Sequence, residues 1–294
     1  MQNGSESKKS SGKLLRCFYE KSNAIESQNK NLALKNRVPA QAVLQNYMLE
    51  RLLEKISVSQ YKDMFILKGG MLIASLVGID SRTTMDMDLT LRGLPLSEEM
   101  VRNALLDICA IQLDDEVILS LDQIRPTRGD DEYGGYRASL NAGYETIKTP
   151  LKIDITTGDI ITPEAIRYAF YSIFENKIIE IWAYNIETIL AEKIETILRR
   201  SFLNTRPRDF YDVYIIMKTQ KHNIDKTILI NALRATSEKR MSTAVFEDKD
   251  NILLEIQLDA VMRGRWDRYC KEYYYANGIG YDEVIEVLKE ILIT

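Results

Sequence analysis

Two aspartates two residues apart, Asp86 and Asp88, stand a helix-length beyond a Lys68-Gly69-Gly70 turn, and this spacing constrains the fold more than any other feature. Strand side chains alternate between faces, so Asp86 and Asp88 share one face while Met85, Met87 and Leu89 take the opposite, core side. Two carboxylates held that close repel one another and lose solvation. A cation between them explains the arrangement, and ligands that are all oxygen suit Mg²⁺. Upstream, the apolar run ending at Leu67 reads as a strand, and Met71-Leu72-Ile73-Ala74-Ser75-Leu76 reads as the start of a helix. Gly69 and Gly70 between them let the backbone approach a phosphate, which the first N–H groups of the helix bind. Each signal alone has a bland reading, as an exposed pair of acids or as a turn.

The 294 residues, 45% hydrophobic and 28% charged, exclude a collagenous or wholly disordered chain and suffice for one large or two modest globular domains. A net charge of −4 argues against a generally basic protein that coats nucleic acid, so any polynucleotide must be met by a local patch. Cys17, Cys109 and Cys270 are far apart, without the spacing of a disulfide framework or a zinc site. No apolar run reaches membrane-spanning length and the first residues are not a signal peptide, so a cytoplasmic protein without a membrane partner is expected.

Residues 1–12 read as a frayed polar tail, and a first helix is expected over Leu14 to Lys30. Beyond Pro39, Leu44, Met48, Leu52 and Ile56, flanked by Leu49 and Leu53, repeat at helical spacing, whereas Gln41, Gln45, Glu50, Arg51, Glu54 and Lys55 mostly fall elsewhere. That pattern predicts an amphipathic helix laid against the following domain, with no chemistry of its own. After Pro95, Ser97 is the expected N-cap of a helix through Ile108. Strands are expected over Val117–Leu121 and Tyr136–Leu140, joined by a polar loop whose Asp130, Asp131 and Glu132 read as a solvated tip without a role. The strand around Leu151-Lys152-Ile153-Asp154-Ile155 places Lys152 and Asp154 on one face; Asp154 is either a site carboxylate or a solvent-facing acid on an edge strand. From Ile186 onward the pattern is helical. Lys193 sits at the edge of an apolar stripe, and Asp209 and Asp212 share a helix face at i, i+3; a snorkelling lysine and a capping aspartate are the ordinary reading. Helices are also expected over Lys226–Ala235, Ile252–Met262, Trp266–Tyr275 and Asp282–Leu292. Arg263, Arg265, Arg268 and Lys271, interleaved with Trp266, Tyr269, Tyr273, Tyr274 and Tyr275, suit RNA contact and a buried aromatic helix equally well.

Glycines, a helix-length spacer, an arginine and then Asp-x-Asp resemble the signature of the DNA polymerase β-like nucleotidyltransferase superfamily. The fuller string Leu67-Lys68-Gly69-Gly70 … Arg82-Thr83-Thr84-Met85-Asp86-Met87-Asp88-Leu89 is similar to one branch of it, the AbiEii/AbiGii (type IV) toxin family. Ala191-Glu192-Lys193 with Arg208-Asp209-Phe210-Tyr211-Asp212 is similar to the second half of that signature. This family often carries Ser where Thr83-Thr84 stands here, and the hydroxyl is retained. The resemblance implies an α/β (α+β) fold: a mixed-sheet nucleotidyltransferase core over residues 61–180, after an N-terminal tail and helices (1–60) and before a helical C-terminal domain (181–294). It implies that Asp86, Asp88 and, as third acid, Asp154 hold Mg²⁺, that Lys68, Gly69, Gly70, Arg82 and Thr84 bind the nucleotide, and that Lys193 and Asp209 complete the catalytic set. The implied activity is that of a toxin of an abortive-infection type toxin–antitoxin system active in phage defence. It would transfer NMP from NTP to an RNA acceptor such as a tRNA 3′ end, with an AbiEi-type antitoxin as partner. Transfer to a small molecule or protein, or nucleotide binding without catalysis, are the alternatives; retention of three carboxylates speaks against the last. RNA calls for a basic groove, for which Arg199, Arg200, Arg206 and Arg208 are the candidates nearest the site.

Overall fold

The computed structural model describes residue 27 and residues 29–93, 96–127, 134–173, 175 and 177–292, the side chain of Phe202 excepted. The tail over 1–12, the expected helix start at Leu14, Cys17, Pro95 and the acids Asp130, Asp131 and Glu132 lie outside the described residues. In chain order, α1 (29–36) and α2 (Ala40–Val58) lead into β1 (Phe65–Lys68), α3 (Gly69–Val77), β2 (Met87–Leu91) and α4 (Glu98–Ala110). Five strands follow: β3 (Ile118–Pro126), β4 (Tyr136–Tyr144), β5 (Ile147–Thr157), β6 (Ile166–Tyr171) and β7 (Ile178–Ala183). The remainder is helical, with α5 (Ile186–Arg200), α6 (Pro207–Gln220), α7 (Lys226–Lys239), α8 (Thr243–Glu247), α9 (Lys249–Leu258), α10 (Ala260–Glu272) and α11 (Tyr281–Leu292).

Among the described residues the strands make one seven-stranded mixed sheet in the order β3-β4-β5-β2-β1-β7-β6. The central β2 runs antiparallel to β1 and parallel to β5, so β5 is an interior strand and Asp154 is not on an edge. Met87, Leu89, Ile153 and Ile155 are buried, and side chains from α2, the sheet and the C-terminal helices join one apolar core. No described helix is long and apolar enough to cross a membrane.

Several expectations are corrected. β2 begins at Met87, because pairing with β5 starts there; Asp86 precedes the strand, and Met85 is 44% exposed instead of taking a core position. The strands β6 and β7 form where the sequence pattern predicts none. The expected helix Ile252–Met262 is broken at Asp259, whose side chain caps α10 by accepting from the Val261 N–H at 2.8 Å. Ser97 does cap α4, accepting from the Met100 N–H.

The largest correction concerns α2, which is buried nearly all round: Gln45, Glu50, Arg51, Glu54 and Lys55 are inside, not on a solvent face. Each charge has a partner contributed from far along the chain. Arg51 lies 3.1 Å from both Glu54 and Glu175. Lys55 Nζ donates to the carbonyls of Ile111 (2.7 Å) and Val117 (3.2 Å). Glu50 accepts from Ser172 Oγ (2.7 Å) and from the Ile173 N–H. Burial pushes the Glu50 carboxyl up to about 7 against the pull of those hydrogen bonds. Between the ordinary glutamate range and pH 7 the folded state therefore binds the extra proton, so stability falls as pH rises through that window and levels off above it. Replacing Glu50 by Gln should flatten this slope and leave stability at pH 8 undiminished; urea midpoints across pH 4.5–8 measure it.

Candidate active site

Strand register sets five side chains in one row across the sheet: Arg125 opposite Arg137, Arg137 opposite Asp154, Asp154 opposite Asp88, and Asp88 opposite Lys68. In-register neighbours project from one face with Cβ atoms roughly 5 Å apart. The row thus reads Arg, Arg, Asp, Asp, Lys, with the two acids at its centre.

The glycine turn closes onto this row. Gly69 has φ +65°, and a Cβ there would lie 2.0 Å from Asp88 Oδ2. The Gly70 N–H donates to the same oxygen at 3.3 Å, and a Cβ at Gly70 would meet Thr84 Oγ1 at 2.7 Å. The two glycines let the N-terminus of α3 sit against Asp88 and Thr84. Thr84 Oγ1 in turn donates to Asp86 Oδ1 at 2.9 Å and holds that carboxylate beside the strand end. From behind, Gln45 Nε2 donates to the Met85 and Pro150 carbonyls (2.9 Å each), and Asn46 Nδ2 to the Thr84 carbonyl (3.0 Å). Burial, with Asp86 and Asp154 adding to it, pushes the Asp88 carboxyl up to about 6.

Cations surround the acids. Arg137 grips Asp154 through two parallel bonds of 2.6 Å, Nε to Oδ1 and Nη2 to Oδ2. Lys68 Nζ donates to Asp159 Oδ2 (2.6 Å) and Thr156 Oγ1 (2.8 Å). Burial works against the Lys68 charge, but Glu192 and Asp159 outweigh it and hold its pKa above the ordinary value. Arg82 is buried and committed to Asp212, with Nε 2.7 Å from Oδ1. Lys193 Nζ lies 2.6 Å from Asp209 Oδ1 and 3.0 Å from Asp212 Oδ2. Burial disfavours the Lys193 ammonium, yet Asp212 and Asp209 hold its pKa well above normal; Asp212 is kept below its usual range because Arg82 and Lys193 outweigh its burial. Asp209 Oδ2 is buried and has no hydrogen-bond partner among the described residues.

All ten sequence candidates, Lys68, Gly69, Gly70, Arg82, Thr84, Asp86, Asp88, Asp154, Lys193 and Asp209, fall in this neighbourhood, but not as one shell. Arg82 lies behind the row, in an ion pair. Among the described residues no three acid, His or Cys side chains converge on a point that would enclose a metal, since Asp154 is turned to Arg137 and Asp86 to Thr84. Arg137, Asp159 and the bracing role of Asp212 were missed. Hairpin register with Asp154 points to Arg137, and the Thr157-Gly158-Asp159 turn after β5 points to Asp159.

The C-terminal aromatic stripe is mostly core: Trp266 and Tyr269 are buried, Tyr273 and Tyr275 are half-buried, with Tyr211 packed on Tyr275 at a ring-centroid distance of 4.9 Å, and only Tyr274 is exposed. Its cations are largely engaged. Arg263 pairs with Asp282, Arg265 donates to the Asn204 carbonyl and Arg268 to the Gly264 carbonyl, while Arg208 of α6 donates to the Tyr273 hydroxyl.

The sequence matches no curated protein at a significant level. The fold is similar to that of MenT4, a nucleotidyltransferase toxin of Mycobacterium tuberculosis H37Rv, at 14% identity and TM-score 0.52 over 90% of this chain and 98% of that one. It is also similar to JHP933 from Helicobacter pylori, at 16% identity and TM-score 0.46 over 87% of this chain and 93% of that one. The family described as nucleotidyl transferase AbiEii toxin, type IV TA system, matches residues 51–287, a span that holds every sequence candidate, and the chain belongs to that family.

Proposed function

We propose that the chain transfers an NMP group from an NTP to a hydroxyl of an RNA acceptor such as a tRNA 3′ end, with Mg²⁺ held by Asp86, Asp88 and Asp154. The observation that carries this reading is the cross-strand row in which Asp88 and Asp154 lie side by side, next to the glycine-lined N-terminus of α3. The donor chemistry, carboxylate oxygens only, fits a hard divalent cation once Asp154 leaves Arg137 and Asp86 leaves Thr84 to join Asp88. When bound, such a cation supplies charge neutralisation on the phosphates. The α3 N-terminus and Lys68 orient the triphosphate, with Lys68 exchanging Asp159 for a phosphate oxygen. Lys193, fixed by Asp209 and Asp212, adds positive charge from the helical side. Asp154, released by Arg137, takes the proton of the attacking hydroxyl. That oxygen forms the new bond to the α-phosphorus as the bond to the β-phosphate oxygen breaks and pyrophosphate leaves.

The family implies an antitoxin partner; under this reading it is of the AbiEi type, and the pair acts in the cytoplasm in phage defence. Incubating the protein with each α-labelled NTP, Mg²⁺ and total cellular RNA should place label in RNA with release of pyrophosphate. Label entering a small hydroxylated molecule or protein instead, or no label at all, would overturn the acceptor or the activity respectively.

A further inference from the structure

The face of the sheet that carries Asp88 and Asp154 continues outward over β5, β4 and β3 as an open surface. Lys148, Pro150, Lys152 and Asp154 alternate on β5 with the buried Thr149, Leu151 and Ile153, so the first set shares the site's face. Register extends that face to Arg137, Ser139 and Asn141 on β4, and to Arg125 and Gln123 on β3. Arg125, Arg137, Asn141, Lys148 and Lys152 are exposed. The charge of this face is one-sided. β4 contains no acid and β5 only Asp154; Asp122 of β3 sits at the bulge between Leu121 and Gln123, outside the register. No ion pair joins Arg125, Lys148 or Lys152 to a described residue, in contrast to the engaged arginines of α10 and α6. In a chain of net charge −4 such a concentration of one sign suits a polyanion.

Resting on the nucleotidyl-transfer reading above, we infer that the open face of β3, β4 and β5 is the platform on which the single-stranded end of an RNA acceptor lies. Phosphates meet Arg125, Lys148 and Lys152, and the terminal hydroxyl is delivered to Asp154 at the inner end. The geometry suits an extended strand: the seven residues from Lys148 to Asp154 span ~20 Å, with Lys148 and Lys152 at alternate positions of the open face and only short polar side chains, Ser139 and Asn141, beside them. Arg137 stands at the junction. Its bidentate grip on Asp154 is broken when the acceptor arrives, and its guanidinium, at the end of a side chain 56% exposed, turns to the last phosphate. Positive charge on this face then serves orientation and encounter, not the chemistry itself.

The test uses the full chain with Arg125, Lys148 and Lys152 all replaced by Gln, leaving Arg137 untouched. A second variant, Arg263→Gln/Arg268→Gln/Lys271→Gln, makes the same change in net charge on α10. Binding of a short 5′-fluorescent single-stranded RNA is followed against salt, with NTP binding as control. The β-face variant should bind the RNA about tenfold more weakly, with the slope of log affinity against log salt shallower by about 2, as expected for three lost single-strand phosphate contacts. Its NTP affinity should not change, and the α10 variant should match wild type. A wild-type salt slope in the β-face variant, while wild type still labels RNA, would remove the platform and leave the transfer reading standing. Equal losses in both variants would reduce the effect to net charge and overturn it too. If wild type labels no RNA, the transfer reading fails first and the platform with it.

Discussion

Replacing Asp88 by Asn should abolish nucleotidyl transfer, by about three orders of magnitude or more, while raising the thermal midpoint of the protein. The two effects share one cause. Asp88 lies between Lys68 and Asp154 in the cross-strand row, with the α3 N-terminus closed over one of its oxygens. Burial and two neighbouring acids raise its carboxyl to about 6, so the folded protein holds its proton more tightly than the unfolded chain does. Above pH 6 the ionised carboxylate is therefore a net cost to the fold, lost progressively as pH falls back through the window between the unfolded value and 6. Asparagine keeps the shape and removes the charge, which gives a rise of a few degrees at pH 7.5. Transfer rate and a thermal melt on the same preparation check both. An inactive but less stable variant would make Asp88 a structural residue, and an active one would refute its role.

The second large effect lies where no substrate is touched. Asp212→Ala should lower unfolding free energy by about 3 to 5 kcal/mol, because it strands the buried Arg82 and removes one of the two acid partners of Lys193. Arg82 Nε and Lys193 Nζ both lie within 3.0 Å of this carboxylate, which is fully buried. Lys193 retains Asp209, but Arg82 keeps only its neighbouring backbone carbonyl at Thr83. Asp212→Asn should fall between, since it preserves one acceptor. Urea unfolding measures the series, and a loss under 1 kcal/mol for the alanine variant would mean that the network is not the brace described here. Transfer should also drop, since the Arg82 to Thr84 segment leads directly into Asp86.

The central motif was legible because its logic is local: glycine before a helix, and acids two apart at the start of a strand. Alternation put Asp154 on a strand face but left it open between a site carboxylate and a solvent-facing acid, and the family signature pointed to it, to Lys193 and to Asp209. What stayed hidden depends on pairing between distant segments. Arg137 becomes a partner of Asp154 only through hairpin register, and Asp159 meets Lys68 only because the chain after β5 folds back over the sheet face. The charges of α2 were read as solvent-facing, since nothing nearby in sequence announces that Glu175, Ile111 and Val117 will receive them. Met85 illustrates the opposite error: regular alternation extends the strand two residues upstream of the point where pairing begins. The aromatic stripe around Trp266 fitted two readings at the level of spacing, and only packing against α6 separated them.

The family match begins at residue 51, midway along α2, yet Gln45 and Asn46 in the helix's first half fasten the backbone at Thr84, Met85 and Pro150. Likeness therefore starts downstream of the clasp that sets where Asp86 emerges. The height at which Asp86 stands above the sheet is thus set by the half of α2 that lies outside the matched span, so a change at Gln45 or Asn46 would move this carboxylate without touching any residue of the motif.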